Sequence, residues 1–342
     1  MLIKELSELS GVSGNEGKVR SYIKEQLSQM SIKYQVDSIG NLFAFKEGKN
    51  RSGKYNLMLS AHMDEVGMMI SSVEKSGHLR FYKIGGVDEA SLLSTPVTIG
   101  NDNVPGVIGA KAIHLQKKEE RNNPLDIEKM YIDIGAKNKE DAEKAVKAGD
   151  YICFHTRGKL QEKNFKGKAL DNRAGCAALL ELLRRDCLYP FTAVFTVQEE
   201  VGLRGAKVAA YRVDPDVALV LETTTAADMP EIKKHEHATT LGAGPAFSLK
   251  DDSMLGHPKV LKALTAAAEE ADVNYQFRRY TGSFTDAGVI SLSRSGVMTG
   301  VVSTPCRYIH TPVSLLDIND WKNLVDTVYT FINSVQEKGL EG

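Results

Sequence analysis

Phe191-Thr-Ala-Val-Phe-Thr-Val-Gln-Glu-Glu200-Val-Gly202 is an apolar, β-prone run that stops abruptly on two adjacent carboxylates. Val194, Phe195 and Val197, with threonines around them, read as a strand buried on both faces, the kind found at the centre of a mostly parallel sheet. Open α/β sheets bind their ligands outside the carboxyl ends of such strands. Glu199 and Glu200 are therefore site candidates. The competing reading is a strand running out into a solvated acidic turn, since Glu is rarely buried without a partner.

Working outward, 342 residues with 42% apolar content suit about two domains with substantial cores. Lys and Arg total 43 against 44 for Asp and Glu, a formal charge of −1, and no basic run tracks a phosphate backbone, which argues against a nucleic-acid partner. Met1-Leu-Ile-Lys-Glu-Leu-Ser-Glu-Leu9 lacks the continuous apolar core of a signal peptide. No run approaches the ~18 apolar residues of a membrane span. The expectation is a soluble, cytoplasmic protein without a membrane partner. Cys153, Cys176, Cys187 and Cys306 form no C-x-x-C pair and are expected to be reduced, mostly buried thiols.

Leu2, Leu6 and Leu9, then Val19, Ile23 and Leu27, recur at three- and four-residue steps and predict helices over 2–11 and 15–30. Short strands are expected at 32–36 and 42–45, then a strand over 55–61 that runs directly into His62-Met-Asp64-Glu65. From about residue 66 to 160 the texture is β-rich with glycine breaks, apart from a helix expected over 139–148 between Asn138 and Gly149. Afterwards strands and helices alternate: helix 172–187, strand 191–198, helix 204–211, strand 217–222, helices 258–271 and 286–292, strand 297–303 and a final helix 317–335. The fold expected is α/β, a mostly parallel central sheet with helices on both faces. It comprises residues 1–69 and 161–342, with an inserted β-rich domain at 70–160. Glu119–Pro124 reads as an exposed loop.

Five segments bring histidine or carboxylate to the ends of apolar runs: His62-x-Asp64, Asp171-Asn-Arg, Glu199-Glu200, Leu219-Val-Leu-Glu222 and Arg307-Tyr-Ile-His310. Each has a bland alternative; Asp171, just before a helix, suits an N-cap. Together they deliver imidazole and carboxylate to one sheet edge, a donor set that suits a divalent ion such as zinc. The number of donors suits two ions sharing a carboxylate, a geometry that activates water. Asp64, two residues from His62 on an extended segment, can accept the far N–H of that imidazole. Glu199 and Glu200 are adjacent and point to different sides, so one can bind metal while its neighbour faces the water as a base. His235-Glu-His237 lies in a charged, solvated stretch, while His78, His114, His155 and His257 are expected to be structural or surface residues.

Ala61-His-Met-Asp-Glu-Val-Gly67, Gly167-Lys-Ala-Leu-Asp-Asn-Arg-Ala-Gly-Cys176, Gln198-Glu-Glu-Val-Gly-Leu-Arg-Gly-Ala206, Ser283-Phe-Thr-Asp-Ala287 and Arg307-Tyr-Ile-His310 together resemble the M42 family of dinuclear metal-dependent aminopeptidases, related to glutamyl aminopeptidase and the tetrahedral-shell peptidases. The resemblance runs in order through essentially the whole chain. It implies two divalent ions per subunit, zinc or cobalt, with Asp171 bridging them. His62 and Glu222 would complete one position, Glu200 and His310 the other. It further implies Glu199 as general base, Asp64 as partner of His62, short peptides as substrates, the insertion as a dimerisation domain, and dimers assembling into a hollow dodecamer.

The chain departs from the family pattern at two places. Glu222 stands where the family usually has Asp, a difference of about 1 Å in carboxylate reach. Phe284 stands where the family tends to have glycine, and reads either as a pocket wall or as a core residue. Aminopeptidase action is the leading reading. Metal-dependent deacylation of N-acyl amino compounds uses the same donors, and a non-catalytic assembly protein retaining the fold is the alternative outside enzymes. Glycosidase chemistry on paired carboxylates leaves both histidines without a role.

Overall fold

The computed structural model describes residues 1–116, 126–279 and 282–340. The expected loop Glu119–Pro124 lies outside the described residues, as do Tyr280 and Thr281.

The opening strand is β12 (Phe191–Thr196), nearly all of it buried. It runs parallel to β3 (Leu57–His62), with Thr196 opposite His62. β3 pairs parallel with β13 (Val217–Thr225), and β13 with β16 (Met298–Arg307). These four neighbours are apolar along both faces, as strands covered by helices on each side must be. Their carboxyl ends emerge together, which brings the segments after His62, Thr196 and Arg307 to one edge with Glu222.

Among the described residues eleven strands form this sheet. The expected mostly parallel pairing holds only in part. Beyond the four central strands, β1 (Lys33–Val36) and β2 (Leu42–Lys46) on one side pair antiparallel, as do β17 (Ser314–Asp317), β11 (Asn164–Gly167) and β10 (Lys159–Gln161) on the other. For three of these pairs the reason is the connection. Two or a few residues join β1 to β2, β10 to β11 and β16 to β17, and links that short close only antiparallel pairs; parallel neighbours need a crossover. β14 (Ala246–Ser248) and β15 (Gln276–Arg278) add a small parallel pair beside β16.

Helices cover both faces. One core gathers Leu2–Glu8, Gly17–Gln29, Leu170–Arg184, Pro258–Glu270 and Ile318–Lys338 against the sheet. The other holds Arg204–Val213 and Asp286–Ser291, where Ala206, Ala209, Ala210, Ala287 and Ile290 meet Met58, Val194, Val220 and Val301. Each fully buried Leu or Ile in these layers contributes about 1.5–3 kcal/mol. Leu170–Arg184 lies very close to β13. A Cβ on Gly175 would stand 2.6 Å from the Leu221 carbonyl oxygen, so only glycine permits this approach.

Between β3 and β10 the chain builds a closed antiparallel barrel in the order β4 (Gly67–Val73), β5 (Leu79–Ile84), β8 (Tyr131–Asp133), β7 (Val104–Gly109), β6 (Pro96–Ile99), β9 (Tyr151–Phe154). Closure removes free sheet edges. Its interior is a core of its own, with Met68, Ile70, Leu79, Ile99, Ile108, Ile132 and Ile152. The helix expected over 139–148 is shorter, Lys139–Ala142, although Asn138 caps it by accepting from the Asp141 amide. Only Ala142 and Val146 in this stretch are buried, too narrow an apolar stripe to hold three turns. All four cysteines are free and buried.

Candidate active site and metal centre

A cleft of about 620 Å³ opens at the carboxyl edge of the central strands. His62, Asp171, Glu199, Glu200, Glu222 and His310 all line it. His62 is the last residue of β3; Glu199 and Glu200 follow β12 after Gln198, a left-handed residue (φ 57°) that turns the chain sharply out of the sheet. Glu222 lies within β13, while His310 sits in the turn after β16 with Tyr308 and itself left-handed (φ 62° and 63°). Non-glycine residues held there cost about 1–3 kcal/mol each and persist where surrounding contacts determine them.

Asp171 stands at the centre. Its Oδ1 is 3.3 Å from His62 Nε2 and its Oδ2 is 3.6 Å from His310 Nε2. His62 Nε2 also lies 3.6 Å from Glu222 Oε2, and His310 Nε2 lies 3.3 Å from Glu200 Oε1. Asp171 is free to face both imidazoles because it is not the N-cap. Asp171 and Asn172 have non-helical backbone angles, and Asn172 Oδ1 accepts from the Gly175 amide, capping the helix in its place. Asn172 Nδ2 meanwhile donates to Glu222 Oε2 at 2.8 Å.

Asp64 lies beneath the cleft. The nearest acceptor to His62 Nδ1 is the Asp64 carbonyl oxygen at 3.2 Å, with carboxylate Oδ1 at 3.5 Å. Nδ1 thus faces acceptors and donates, while Nε2 faces the Asp171 and Glu222 carboxylates and is the nitrogen a metal ion would take. The Asp64 carboxylate also accepts from the Glu199 and Glu200 amides at 3.0 and 3.2 Å and from the Ser13 hydroxyl at 2.6 Å. It anchors the glutamate turn as well as the histidine. Sequence reasoning missed Asn172 and Ser13 because their partners lie 50 residues or more away. It also missed Asp286, which is fully buried, accepts the Thr196 hydroxyl at 2.6 Å, and is pushed up by burial to about 6.

The electrostatics of the site call for positive charge. Burial pushes Glu199, Glu222 and Glu200 above the usual carboxylate range, and neighbouring acids push the same way. Burial would lower His62, but Glu199, Glu222, Asp171 and Asp64 raise it well above the ordinary imidazole value. His310 is likewise depressed by burial, yet bonds to Asp171 and Glu200 lift it to about 10. Burial acts to raise Asp171 too, and the two histidines hold it below the carboxylate range. Glu222 Oε1 is buried without a hydrogen-bond partner among the described residues, an arrangement that costs free energy unless something positive satisfies it. Single ligand atoms of His62, Asp171 and Glu200, and of His62, Glu199 and Glu222, lie within 4.8 Å of one another. These donors fit a metal.

Phe284 lines the cleft with 64% of its surface exposed, so it is a wall of the opening and not a core residue. None of His78, His114, His155, His235, His237 and His257 lines the cleft. His235 is exposed and His237 bonds the Ile232 carbonyl.

Imidazoles and carboxylates converging at the carboxyl edge of parallel strands define a metal-dependent hydrolase. Comparison with known proteins is specific: the profile of the M42 glutamyl aminopeptidase family matches residues 40–327. A relative in Acetivibrio thermocellus named for aminopeptidase activity is 40% identical over 328 residues, 95% of each chain. A TET aminopeptidase structure from Thaumarchaeota archaeon SCGC AB-539-E09 superposes with a TM-score of 0.94 at 35% identity, covering 100% of this chain and 97% of that one. The TET1 peptidase of Pyrococcus horikoshii, which can assemble into a tetrahedron or a large octahedral shell, is 30% identical with a TM-score of 0.84, covering 96% of this chain and 98% of that one. The chain belongs to the M42 aminopeptidase family and is a metal-dependent aminopeptidase.

Proposed function

We propose that the chain removes N-terminal residues from short peptides with two divalent ions, zinc or cobalt, shared by Asp171. The observation that carries this is the placement of Asp171, one carboxylate oxygen toward each histidine. His62, Asp171 and Glu222 would hold one ion, and Asp171, Glu200 and His310 the other. Ions bound there would supply Lewis acidity, lowering the pKa of water and polarising the scissile carbonyl. Glu199, close to His62 and Glu222 and lining the cleft, accepts a proton from the attacking water and passes it to the leaving amine. Asp64 orients His62 and pins the backbone of the glutamate turn. Glu222 in place of the usual Asp is accommodated by the Asn172 amide, which fixes its Oε2.

We further assign residues 70–160 as the dimerisation domain and residues 1–69 and 161–342 as the catalytic domain. The closed barrel with a core of its own supports an inserted domain, although its first strand begins at Gly67, three residues before that boundary. The tetrahedral assembly of the TET1 peptidase supports a homo-oligomer. A dimer along each edge of a tetrahedron makes a dodecamer. A cytoplasmic location completes the reading; among the described residues no helix is long and apolar enough to cross a membrane.

The test is metal-stripped protein assayed on aminoacyl chromogenic amides, free or acetylated at the α-amine, after adding each divalent ion in turn. Restored cleavage of the free-amine amides alone supports the aminopeptidase reading. Release of acetate from N-acetyl amino acids would move the assignment to a deacylase, and neither reaction with no metal uptake to a non-catalytic assembly protein.

A further inference from the structure

Behind the cleft lies a buried cluster of charge that takes no part in the chemistry above. Glu65, Lys168 and Arg173 are 1%, 2% and 0% exposed. Lys168 Nζ donates to both Glu65 oxygens, at 2.8 and 2.7 Å, and Arg173 Nη2 donates to Oε1 at 3.0 Å. Arg173 is the largest fully buried side chain among the described residues. Removing three charges from water is costly, and well-packed apolar side chains of similar size often serve stability as well or better. The cluster therefore calls for a reason other than stability.

That reason lies in what the three residues hold. Lys168 and Arg173 bracket Asp171, and Glu65 closes the segment that begins with His62. Neither segment supports itself. Ala169 is left-handed (φ 51°), and Asp171 and Asn172 are non-helical, so residues 169–172 lack a continuous helical ladder. The chain after His62 has left strand β3. Arg173 Nε donates to the Met63 carbonyl at 2.8 Å, binding the His62 segment directly to the start of the Asp171 helix. The N-terminal segment closes the cluster from the other side. The Leu6 and Leu9 carbonyls accept from Arg173 Nη1 at 2.7 and 3.0 Å, the Leu9 carbonyl also accepts from Lys168 at 2.8 Å, and the Gly11 amide donates to Glu65 at 2.9 Å.

We propose that Glu65, Lys168 and Arg173 are positioning residues: a buried ionic clamp that sets the spacing between His62 and Asp171, with residues 6–11 as its third side. The proposal rests on the reading of His62 and Asp171 as metal ligands. Hydrogen-bonded groups behind metal ligands typically govern affinity by about 10–100-fold, and the clamp acts on two ligands together.

The test is titration of cobalt(II) into the metal-stripped full chain, read by its visible absorption and bound stoichiometry, for wild type and two variants. Lys168→Met leaves the neutral Glu65–Arg173 pair and so keeps the fold. The double variant Glu65→Gln with Lys168→Met keeps Arg173 on its carbonyl acceptors. Circular dichroism at the titration temperature reports the folded fraction of each. The expected result is a 10–100-fold weaker cobalt(II) affinity and a changed absorption band in folded variants. Affinity within about twofold of wild type with the same band overturns the clamp, as does a loss that only follows the unfolded fraction. Failure of wild type to take up cobalt(II) overturns the metal reading itself, a result distinct from the other two.

Discussion

Asn172 Nδ2 donates to Glu222 Oε2 and to the Leu221 carbonyl, each at 2.8 Å, so one amide fixes both the backbone and the carboxylate where β13 enters the cleft. The same side chain caps the following helix through Oδ1. Asn172→Ala is expected to cost about 0.5–2 kcal/mol as a lost cap, and to weaken metal binding by about 10–100-fold as a lost ligand support. Urea unfolding of the metal-free protein and a metal titration separate the two effects. A variant with reduced stability and wild-type metal affinity would show that the amide serves the helix alone.

Phe284 offers an exposed ring to the cleft mouth. Phe284→Gly is expected to lower kcat/KM for leucyl and phenylalanyl amides by about tenfold, the scale of lost apolar contact in a side-chain pocket. Alanyl amide should change by less than about threefold, because its methyl group reaches little of that wall. Equal losses on all three substrates would mean that the ring supports the loop and does not select the side chain.

Asp228 and Arg307 give a pH signature. Burial alone would raise the Asp228 carboxyl, but Arg307 Nε and Nη2 donate to its two oxygens at 2.7 and 2.8 Å, and the Leu241 amide adds a third bond. The net effect holds the carboxyl below its usual range. With the folded pKa below the unfolded one, the stabilisation is fully present above the unfolded value of about 3.9 and disappears as pH falls through the folded pKa. Asp228→Asn should therefore lower Tm by a few degrees at pH 7, for a loss of about 1.5–3 kcal/mol typical of charged hydrogen bonds. The gap should narrow progressively below pH ~4. A gap that widens on acidification would contradict the pairing.

Chelation should act on structure as well as on rate. The cleft packs Glu199, Glu200 and Glu222 together with unfavourable burial, and cations relieve that charge. Restoring a divalent ion at about 100 times its dissociation constant should add about 2.7 kcal/mol to stability. Differential scanning calorimetry with and without chelator tests this; identical Tm values would show that the donors hold no ion in the folded state.

The elements legible in the sequence were those whose pattern is local. The run 191–198 is read as a buried strand from its own apolar residues and forms β12; the helices at 15–30, 258–271 and 317–335 have apolar residues at helical spacing and form within a few residues of those limits. His62, Glu199, Glu200, Glu222 and His310 were legible as cleft residues because each lies at the end of, or follows, an apolar run, and runs in a parallel sheet end on one side; Asp171 follows the antiparallel strand β11, and its place was legible only from the motif at 167–176. The antiparallel flanks and the closure of the barrel were not, since they depend on which strands meet across long separations. Nor was the charged group of Glu65, Lys168 and Arg173. Lys168 and Arg173 look like ordinary surface cations in sequence, and only contacts more than 100 residues apart bury them.

In the proposed reaction the neighbouring glutamates have different tasks, Glu200 holding metal and Glu199 moving a proton. Glu199→Gln, isosteric and unable to accept that proton, tests it most directly when bound metal and turnover are measured on one preparation. The expected result is wild-type metal content with kcat lowered by about 10²–10⁴-fold, the usual contribution of a positioned general base. A variant that keeps its metal and turns over within a few-fold of wild type, or one that loses its metal in step with its activity, would contradict it.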